Sequence, residues 1–188
     1  MTLLGTFKGN PRNDLGYFNT VGRPDPEVVF HRANLPRVGL DDVAALTSGV
    51  MTTAALYLQD GDLVSNLTAI SAGTAAGSPT NWWFALYSGA GALLGQTADQ
   101  TTAAWAADTA KTLALASSVR ITRSGIYYVG IHVAATTVPT LLGCSAARPV
   151  LTGEGNLAQT SGSGLTATAP ATIATPAVKR QVPLVIAT

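Results

Sequence analysis

Short apolar runs separated by turn formers dominate the chain from Val43 onward, and this alternation most constrains its fold. Runs rich in Val, Ile, Thr and aromatic residues recur about every 8 to 12 residues, which is the spacing typical of antiparallel strands. The turn signals include DGD at 60–62, GAG at 89–91 and RSG at 123–125. No long helical period intervenes. The pattern predicts an all-β protein: an antiparallel β-sandwich, jelly-roll-like, with a body spanning residues 43–188.

Eight runs are predicted to form the strands of this body. They read MTTAALYLQ, LVSNLTAIS, WWFALYS, ALLGQT, KTLALA, VRIT, IYYVGIHVAA and AVKRQVPLVIAT. Pro183 in the last run suits an edge or a bulge, because proline has no amide hydrogen for a ladder. The segment ADQTTAAWAAD predicts one helical turn, with Asp99 as its N-cap.

The N-terminal segment, residues 1–42, differs from this body in composition. It holds ten of the 21 Asp, Glu, Lys and Arg residues and four of the ten prolines. Its short apolar patches alternate with turn formers, which favours an extended arm over a helix or a sheet. A disordered tail is the alternative, but the patches are too apolar for a solvated linker. We predict that the arm docks on a neighbour or on its own domain through six anchors: Phe7, Tyr17, Phe18, Val28, Val29 and Phe30.

The run NWWFALYS at 81–88 carries apolar side chains at successive positions. Successive residues of a strand point to opposite faces, so both faces of this strand are apolar. One face is expected to meet the sandwich core, and the other must meet an arm, a loop, a neighbouring subunit or a ligand. The alternative is a platform that stacks a carbohydrate, for which the candidates are Trp82, Trp83, Tyr87 and Trp105.

Few charges limit the partners that the chain is expected to bind. Charged residues make up 11% of the sequence, and the net charge is +1. Neither nucleic acid nor a membrane surface is therefore expected as a partner. No apolar run reaches the roughly 18 to 20 residues that cross a bilayer. A surface rich in Ala and Thr instead predicts a homo-oligomer, with a trimer preferred by analogy with other jelly-roll proteins.

The sequence contains no pattern typical of a catalytic, cofactor or metal site. The carboxylates beyond residue 42 match no acid and nucleophile motif: they are Asp60, Asp62, Asp99, Asp108 and Glu154. His31, His132 and the single Cys144 do not stand at metal-ligand spacing. The chain is therefore predicted not to be an enzyme and to carry no cofactor.

Residues 152–175 have the sequence TGEGNLAQTSGSGLTATAPATIAT. They include no aromatic residue and one charged residue, Glu154. Two interpretations remain open for this segment. It is either a long exposed loop or a weak strand that orders only against another subunit.

Three passages carry a resemblance to known proteins: SAGTAAGSPTNWWFALYS (71–88), LLGQTADQTTAAWAADTAKTLAL (93–115) and SGIYYVGIHVAATTVPTLLG (124–143). They resemble a β-sandwich module of virion proteins from tailed phages that infect actinobacteria, over roughly residues 45–145. The resemblance implies a structural virion protein, assembled in the host cytoplasm, without catalytic residues. Its expected partners are the major capsid protein or tail proteins. Capsid decoration is preferred, and a minor tail or receptor-binding module that recognises host cell-surface carbohydrate is the alternative.

Overall fold

The computed structural model describes residues 31–43 and 46–188, and every regular element in those ranges is a β-strand. The thirteen strands are β1 (Arg32–Ala33), β2 (Asp41–Val43), β3 (Met51–Leu58), β4 (Leu63–Ile70), β5 (Gly77–Tyr87), β6 (Leu93–Gln96), β7 (Ala110–Arg120), β8 (Gly125–Thr137), β9 (Leu141–Ser145), β10 (Ala158–Ser161), β11 (Ala177–Val178), β12 (Gln181–Pro183) and β13 (Val185–Ala187).

The strands form two layers that pack face to face. One layer is a six-stranded sheet in the order β11-β10-β3-β8-β5-β6. The other combines a four-stranded sheet, β1-β13-β4-β7, with a three-stranded sheet, β12-β9-β2. These two sheets are joined because β12 leads through Leu184 into β13, and because Ser71 after β4 bridges Leu141 in β9.

From β3 to β5, and again from β7 to β10, consecutive strands alternate between the layers. β3 lies in the six-stranded sheet, β4 in the opposite layer and β5 again in the six-stranded sheet, and β7 to β10 continue this alternation. All strand pairs are antiparallel. The predicted fold class, an antiparallel and jelly-roll-like β-sandwich, is therefore confirmed.

Most of the predicted strands are present, with differences at particular segments. KTLALA and VRIT belong to one strand, β7, rather than to two. β9 has no counterpart among the predicted runs, because the close approach of its neighbour β12 requires glycine at 143: a Cβ there would lie 2.2 Å from the Val182 carbonyl oxygen. The predicted helical turn is wrong: residues 101–102 form only a turn, and the Asp99 Oδ1 accepts the Trp82 and Thr101 amides at 2.9 and 3.3 Å.

The sandwich also begins earlier than the sequence indicates. β1 pairs with β13, and β2 pairs with β9, so both strands belong to the sheets. The predicted boundary between arm and body at residue 42 therefore falls inside the sandwich. Strands of two and three residues are too short for alternation to reveal them.

The main core lies between the two layers. Trp82, Phe84 and Leu86 project into it from β5, and their side chains are at most 1% exposed. The Trp82 ring stacks on Trp105, with centroids 5.1 Å apart and an interplanar angle of 28°. Phe84 meets Trp105 edge to face at 5.6 Å. Three aromatic rings in mutual contact thus form the largest buried unit of the core.

A second cluster lies on the outer face of the six-stranded sheet and includes Trp83, Tyr87, Met51 and Tyr128. Residues 162–176, here called the strap, cross this face and cover it with Leu165, Ala169 and Ile173. The segment that the sequence left open, residues 152–175, therefore contains three parts: residues 152–155 are exposed, residues 158–161 form β10, and residues 162–175 belong to the strap. Both β10 and the strap pack on the six-stranded sheet of their own chain.

Hydrogen bonds hold the strap along its length. The Trp83 Nε1 donates to the Thr166 carbonyl at 2.6 Å, and the Tyr87 hydroxyl donates to the Pro170 carbonyl at 3.0 Å. The Gln96 side chain donates to the Ala167 carbonyl and accepts the Ala169 amide, both at 2.7 Å. Backbone polar groups of the strap are thereby satisfied without a regular ladder.

Candidate functional site

The N-terminal arm carries six of the predicted functional residues, more than any other region. The structure describes the point where residue 31 and β1 begin the body. Residues 1–30 lie outside the described residues, and all six predicted anchors fall there: Phe7, Tyr17, Phe18, Val28, Val29 and Phe30. The described chain enters the sandwich through β1, an edge strand of the four-stranded sheet, in which Arg32 pairs with Ala187 of β13.

A buried ion pair fixes this junction. The Arg32 Nε donates to the Asp62 Oδ2 at 2.9 Å, and its Nη2 donates to Oδ1 at 2.7 Å. Both residues are 8% exposed. The Asp62 Oδ2 also accepts the Gln59 amide at 2.8 Å, which places the carboxylate in the turn between β3 and β4. A bidentate pair of this kind sets both the position and the orientation of the guanidinium.

Asn34, the residue that follows β1, makes a second set of contacts at the junction. Its Nδ2 donates to the Pro183 carbonyl at 3.0 Å, and its Oδ1 accepts the Val185 amide at 2.9 Å. The Asn34 amide also donates to the Val185 carbonyl at 3.3 Å. Residues 32–34 are therefore held by β13 and by the β3–β4 turn together.

The four candidate carbohydrate-stacking residues do not form a surface platform in this structure. Trp82, Trp83, Tyr87 and Trp105 are each at most 1% exposed. The Trp82 Nε1 donates to the Ala103 carbonyl at 2.8 Å, and the Trp105 Nε1 donates to the Thr109 carbonyl at 3.0 Å. A ring that stacks a sugar must present a face to solvent, and here the opposite layer and the strap occupy both faces of the sheet.

His132 lies beneath the strap beside Trp83. The two rings stack with centroids 4.8 Å apart and an interplanar angle of 22°. His132 is fully buried, and neither ring nitrogen has a hydrogen-bond partner among the described residues. Burial lowers the pKa of the imidazole below its ordinary value, and the Leu165 backbone and the Asp99 carboxylate oppose this shift only in part. The ring is therefore held neutral.

Several of the carboxylates considered as acid or base candidates serve the backbone instead. Asp99 accepts the Trp82 amide and, at 2.6 Å, the Asn81 Nδ2. Glu154 accepts the Val150 and Leu151 amides at 2.7 and 3.2 Å, and these bonds lower its pKa. The bonds to Glu154 favour its ionised form, which is the opposite of what a proton donor near neutral pH requires. The bonds of Asp99 hold groups at the middle of β5.

The cysteine and one histidine, His132, lie within strands of the body. Cys144 is half-buried in β9, and burial raises the pKa of its thiol, which disfavours the reactive thiolate. Within residues 31–43 and 46–188, no group of three or more His, Cys, Asp or Glu side chains is placed to hold a metal ion. In the same ranges there is no helix whose length and apolar content would let it cross a membrane.

The arm junction was not identified from the sequence. Arg32 and Asp62 are 30 residues apart and carry no motif, and Asn34 meets its partners about 150 positions along the chain. The only signal was the concentration of charge and proline before residue 42. No family model matches the chain, and no curated protein matches it in sequence. The function is therefore inferred from this geometry and from the resemblance of the three passages.

Proposed function

We propose that the chain is a structural, non-catalytic virion protein of a tailed phage that decorates the outer capsid surface through its N-terminal arm. The observation that carries the proposal is the junction: the first described strand, β1, lies at a sheet edge and is held there by the buried Arg32–Asp62 pair. The resemblance of residues 71–88, 93–115 and 124–143 to phage virion modules supports the same role. The major capsid protein is the proposed partner.

A fixed junction increases what an arm contributes to binding. An extended segment that wraps a partner loses conformational entropy when it orders. If its point of departure is rigid, binding of the arm and binding of the body reinforce each other through a high effective concentration. The Arg32–Asp62 pair and Asn34 provide that rigidity, since the β3–β4 turn and β13 together hold residues 32–34.

The structure refines where the arm must be cut to test this role. Removing residues 1–42 would delete β1 and most of β2, whereas a chain that begins at His31 retains Arg32 and Asn34. We expect the chain lacking residues 1–30 to keep its melting temperature and to lose binding to particles stripped of the native protein. Full occupancy by this truncated chain would contradict the proposal.

A matched pair of variants separates the anchors from general apolar surface. One replaces Tyr17 and Phe18 by Ser. The control replaces Val150 and Leu151, which are 83% and 76% exposed on the body, by Ser. We expect only the arm variant to reduce occupancy, because buried aromatic anchors dominate interface energy. Cryo-electron microscopy of the same particles distinguishes capsid from tail, since density on the tail alone would favour the minor tail role.

Self-association is the second part of the proposal. At the centre of the four-stranded sheet the outward side chains are uncharged, whereas the exposed Arg120 lies at the end of β7. The uncharged side chains include Asn66, Thr68, Thr112, Ala114 and Ile186. A flat, uncharged face of this kind suits contact with a second copy. We expect sedimentation equilibrium to give the mass of a trimer and Ala114→Asp to lower it. A monomer at the concentration of assembly would contradict this part.

A further inference from the structure

A cleft of about 220 Å³ lies at one end of the six-stranded sheet and shares no lining residue with the arm junction. The turn between β5 and β6, at 89–91, forms its floor. Ile173 and Pro176 of the strap form an apolar wall, and Tyr128, Glu154 and Gln159 supply polar groups. Segments far apart in sequence therefore meet around one concave surface, here called the Tyr128 cleft.

Two nearly buried polar side chains line this cleft with unused hydrogen-bonding capacity. Tyr128 is 7% exposed, and its hydroxyl has no hydrogen-bond partner in the described part of the chain. Gln159 is 5% exposed; its Oε1 accepts the Asn156 Nδ2 at 2.7 Å, and its amide nitrogen meets no acceptor among the described residues. Neither donor atom is sealed in the interior, so both can reach a ligand in the cleft that the two residues line.

The carboxylate of Glu154 adds an oriented acceptor at the rim. Its Oε2 accepts the Val150 and Leu151 amides, which fixes the group and leaves Oε1 without a partner in the described residues. Those bonds lower the pKa of Glu154, so the group is ionised at neutral pH. Burial raises the pKa of Tyr128, so its hydroxyl keeps its proton.

The chemistry of the lining selects among ligand classes. No Lys or Arg lines the cleft, and the one ionised group is an anion, which disfavours phosphate, sulfate and carboxylate ligands. A phenol, two amides and a carboxylate instead match hydroxyl groups, each of which donates and accepts. The apolar wall of Ile173 and Pro176 suits the carbon face of a sugar ring.

We propose that the Tyr128 cleft is a binding site for one neutral sugar unit. The Tyr128 hydroxyl, the Gln159 amide and the Glu154 carboxylate bind sugar hydroxyls, and the strap packs against the ring. This site is separate from the four aromatic residues considered in the sequence and from the arm junction. It does not depend on whether the particle carries the protein on its capsid or on its tail.

The test uses the full-length, 15N-labelled chain and a panel of soluble sugars: glucose, galactose, mannose, arabinose and N-acetylglucosamine. We expect at least one of them to produce saturable amide shifts at Tyr128, Gly155 and Ile173. The amides of the arm junction, such as Asn34, should stay unchanged. If no sugar of the panel gives saturable shifts around the cleft, the proposal is overturned.

Two matched pairs of variants localise the binding. A Cβ at Gly155 would lie 2.9 Å from the Tyr128 hydroxyl oxygen, whereas a Cβ at Gly125 would have no heavy atom within 4 Å. We expect Gly155→Ala to weaken sugar binding at least tenfold and Gly125→Ala to leave it unchanged, with both melting as the parent does. Equal binding by the two variants would overturn the location.

The second pair removes one hydroxyl at a time. Tyr128→Phe should weaken binding about three- to tenfold, the effect of one uncharged hydrogen bond. Tyr57→Phe is the control, because Tyr57 lies on the same sheet outside the cleft. If Tyr128→Phe binds as the parent does, the Tyr128 hydroxyl does not contact the sugar. If both variants lose affinity equally, the loss comes from a change in the sheet as a whole and not from the cleft.

Discussion

Trp82 and Trp83 are neighbours in β5, and the two faces of the sheet bury them equally by different means. Trp82 faces the opposite layer, where it contacts Trp105 and Phe84 ring to ring. Trp83 faces outward, where it stacks on His132 and lies beneath the strap. Both side chains are at most 1% exposed. Burial alone therefore does not distinguish the two faces.

The faces differ in what must move to expose each ring. Exposing Trp82 requires separation of two sheets that share one continuous core. Exposing Trp83 requires only that the strap detach, and the N-terminal end of the strap has Gly162 and Gly164 at φ of +75° and +61°. Segments with few apolar contacts can open without global unfolding. The inner face thus determines the stability of the fold, while the outer face determines that of the strap.

Trp82→Ala should give the largest loss of stability. It removes a fully buried ring from contact with Trp105 and Phe84 and leaves a cavity that the rigid layers cannot close. We expect the free energy of unfolding to fall by about 3–5 kcal/mol. Urea denaturation followed by far-UV circular dichroism measures this. A loss below about 1 kcal/mol would mean that the inner face does not dominate stability.

Trp83→Ala tests the other face with the same chemical change. The strap can settle into the space or detach, so we expect a smaller global loss of about 2–3 kcal/mol. Hydrogen exchange should accelerate at the strap amides of Leu165 and Ile173 and stay slow at Val129 in β8. Equal exchange of strap and sheet amides would show that both faces unfold as one unit.

The fold could be predicted because alternation and turn chemistry act locally. DGD, GAG and RSG stand between strands in the structure as they do in the sequence, and the period of two in WWFALYS assigned Trp82 and Trp83 to opposite faces. What covers the outer face was left open among four alternatives, since alternation reveals that a face is apolar but not what packs on it.

The parts that could not be predicted depend on contacts between distant segments. The strap has no period, because its backbone bonds side chains such as Trp83, Tyr87 and Gln96 and meets other backbone groups at separate points, such as the Ala92–Thr172 bridge. The Arg32–Asp62 pair joins two residues whose types are common on any surface. The Tyr128 cleft likewise forms only when the strap and the Glu154 turn meet β8.

Gln96→Ala should release the strap with a moderate effect. Gln96 makes two hydrogen bonds to the strap, to Ala167 and to Ala169, so their loss should lower the free energy of strap opening by about 1–2 kcal/mol. Gln100→Ala is the control, because the Gln100 side chain bonds only the nearby Ala98 carbonyl. Exchange at the Ala169 amide measures the change. Unaltered exchange in Gln96→Ala would mean that the remaining contacts of the strap, including its bonds to Trp83 and Tyr87, hold it without Gln96.

Of the four predicted effects, the smallest is the change in strap stability with pH. His132 has a lowered pKa in the folded state, so the folded protein disfavours the imidazolium. The strap carries no titratable residue, and the one opposite charge identified near the ring is Asp99, on the loop after β6.

Stability from this group is therefore fully present above the ordinary histidine pKa of about 6.5 and is lost as pH falls below it, with a slope of at most about 1.4 kcal/mol per pH unit. We expect strap exchange to accelerate between about pH 6.5 and pH 5, before most carboxylates titrate. His132→Phe, which retains a ring against Trp83, should abolish this dependence. If the acceleration persists in His132→Phe, another group controls it, and the outer face does not differ from the inner one in its response to acid.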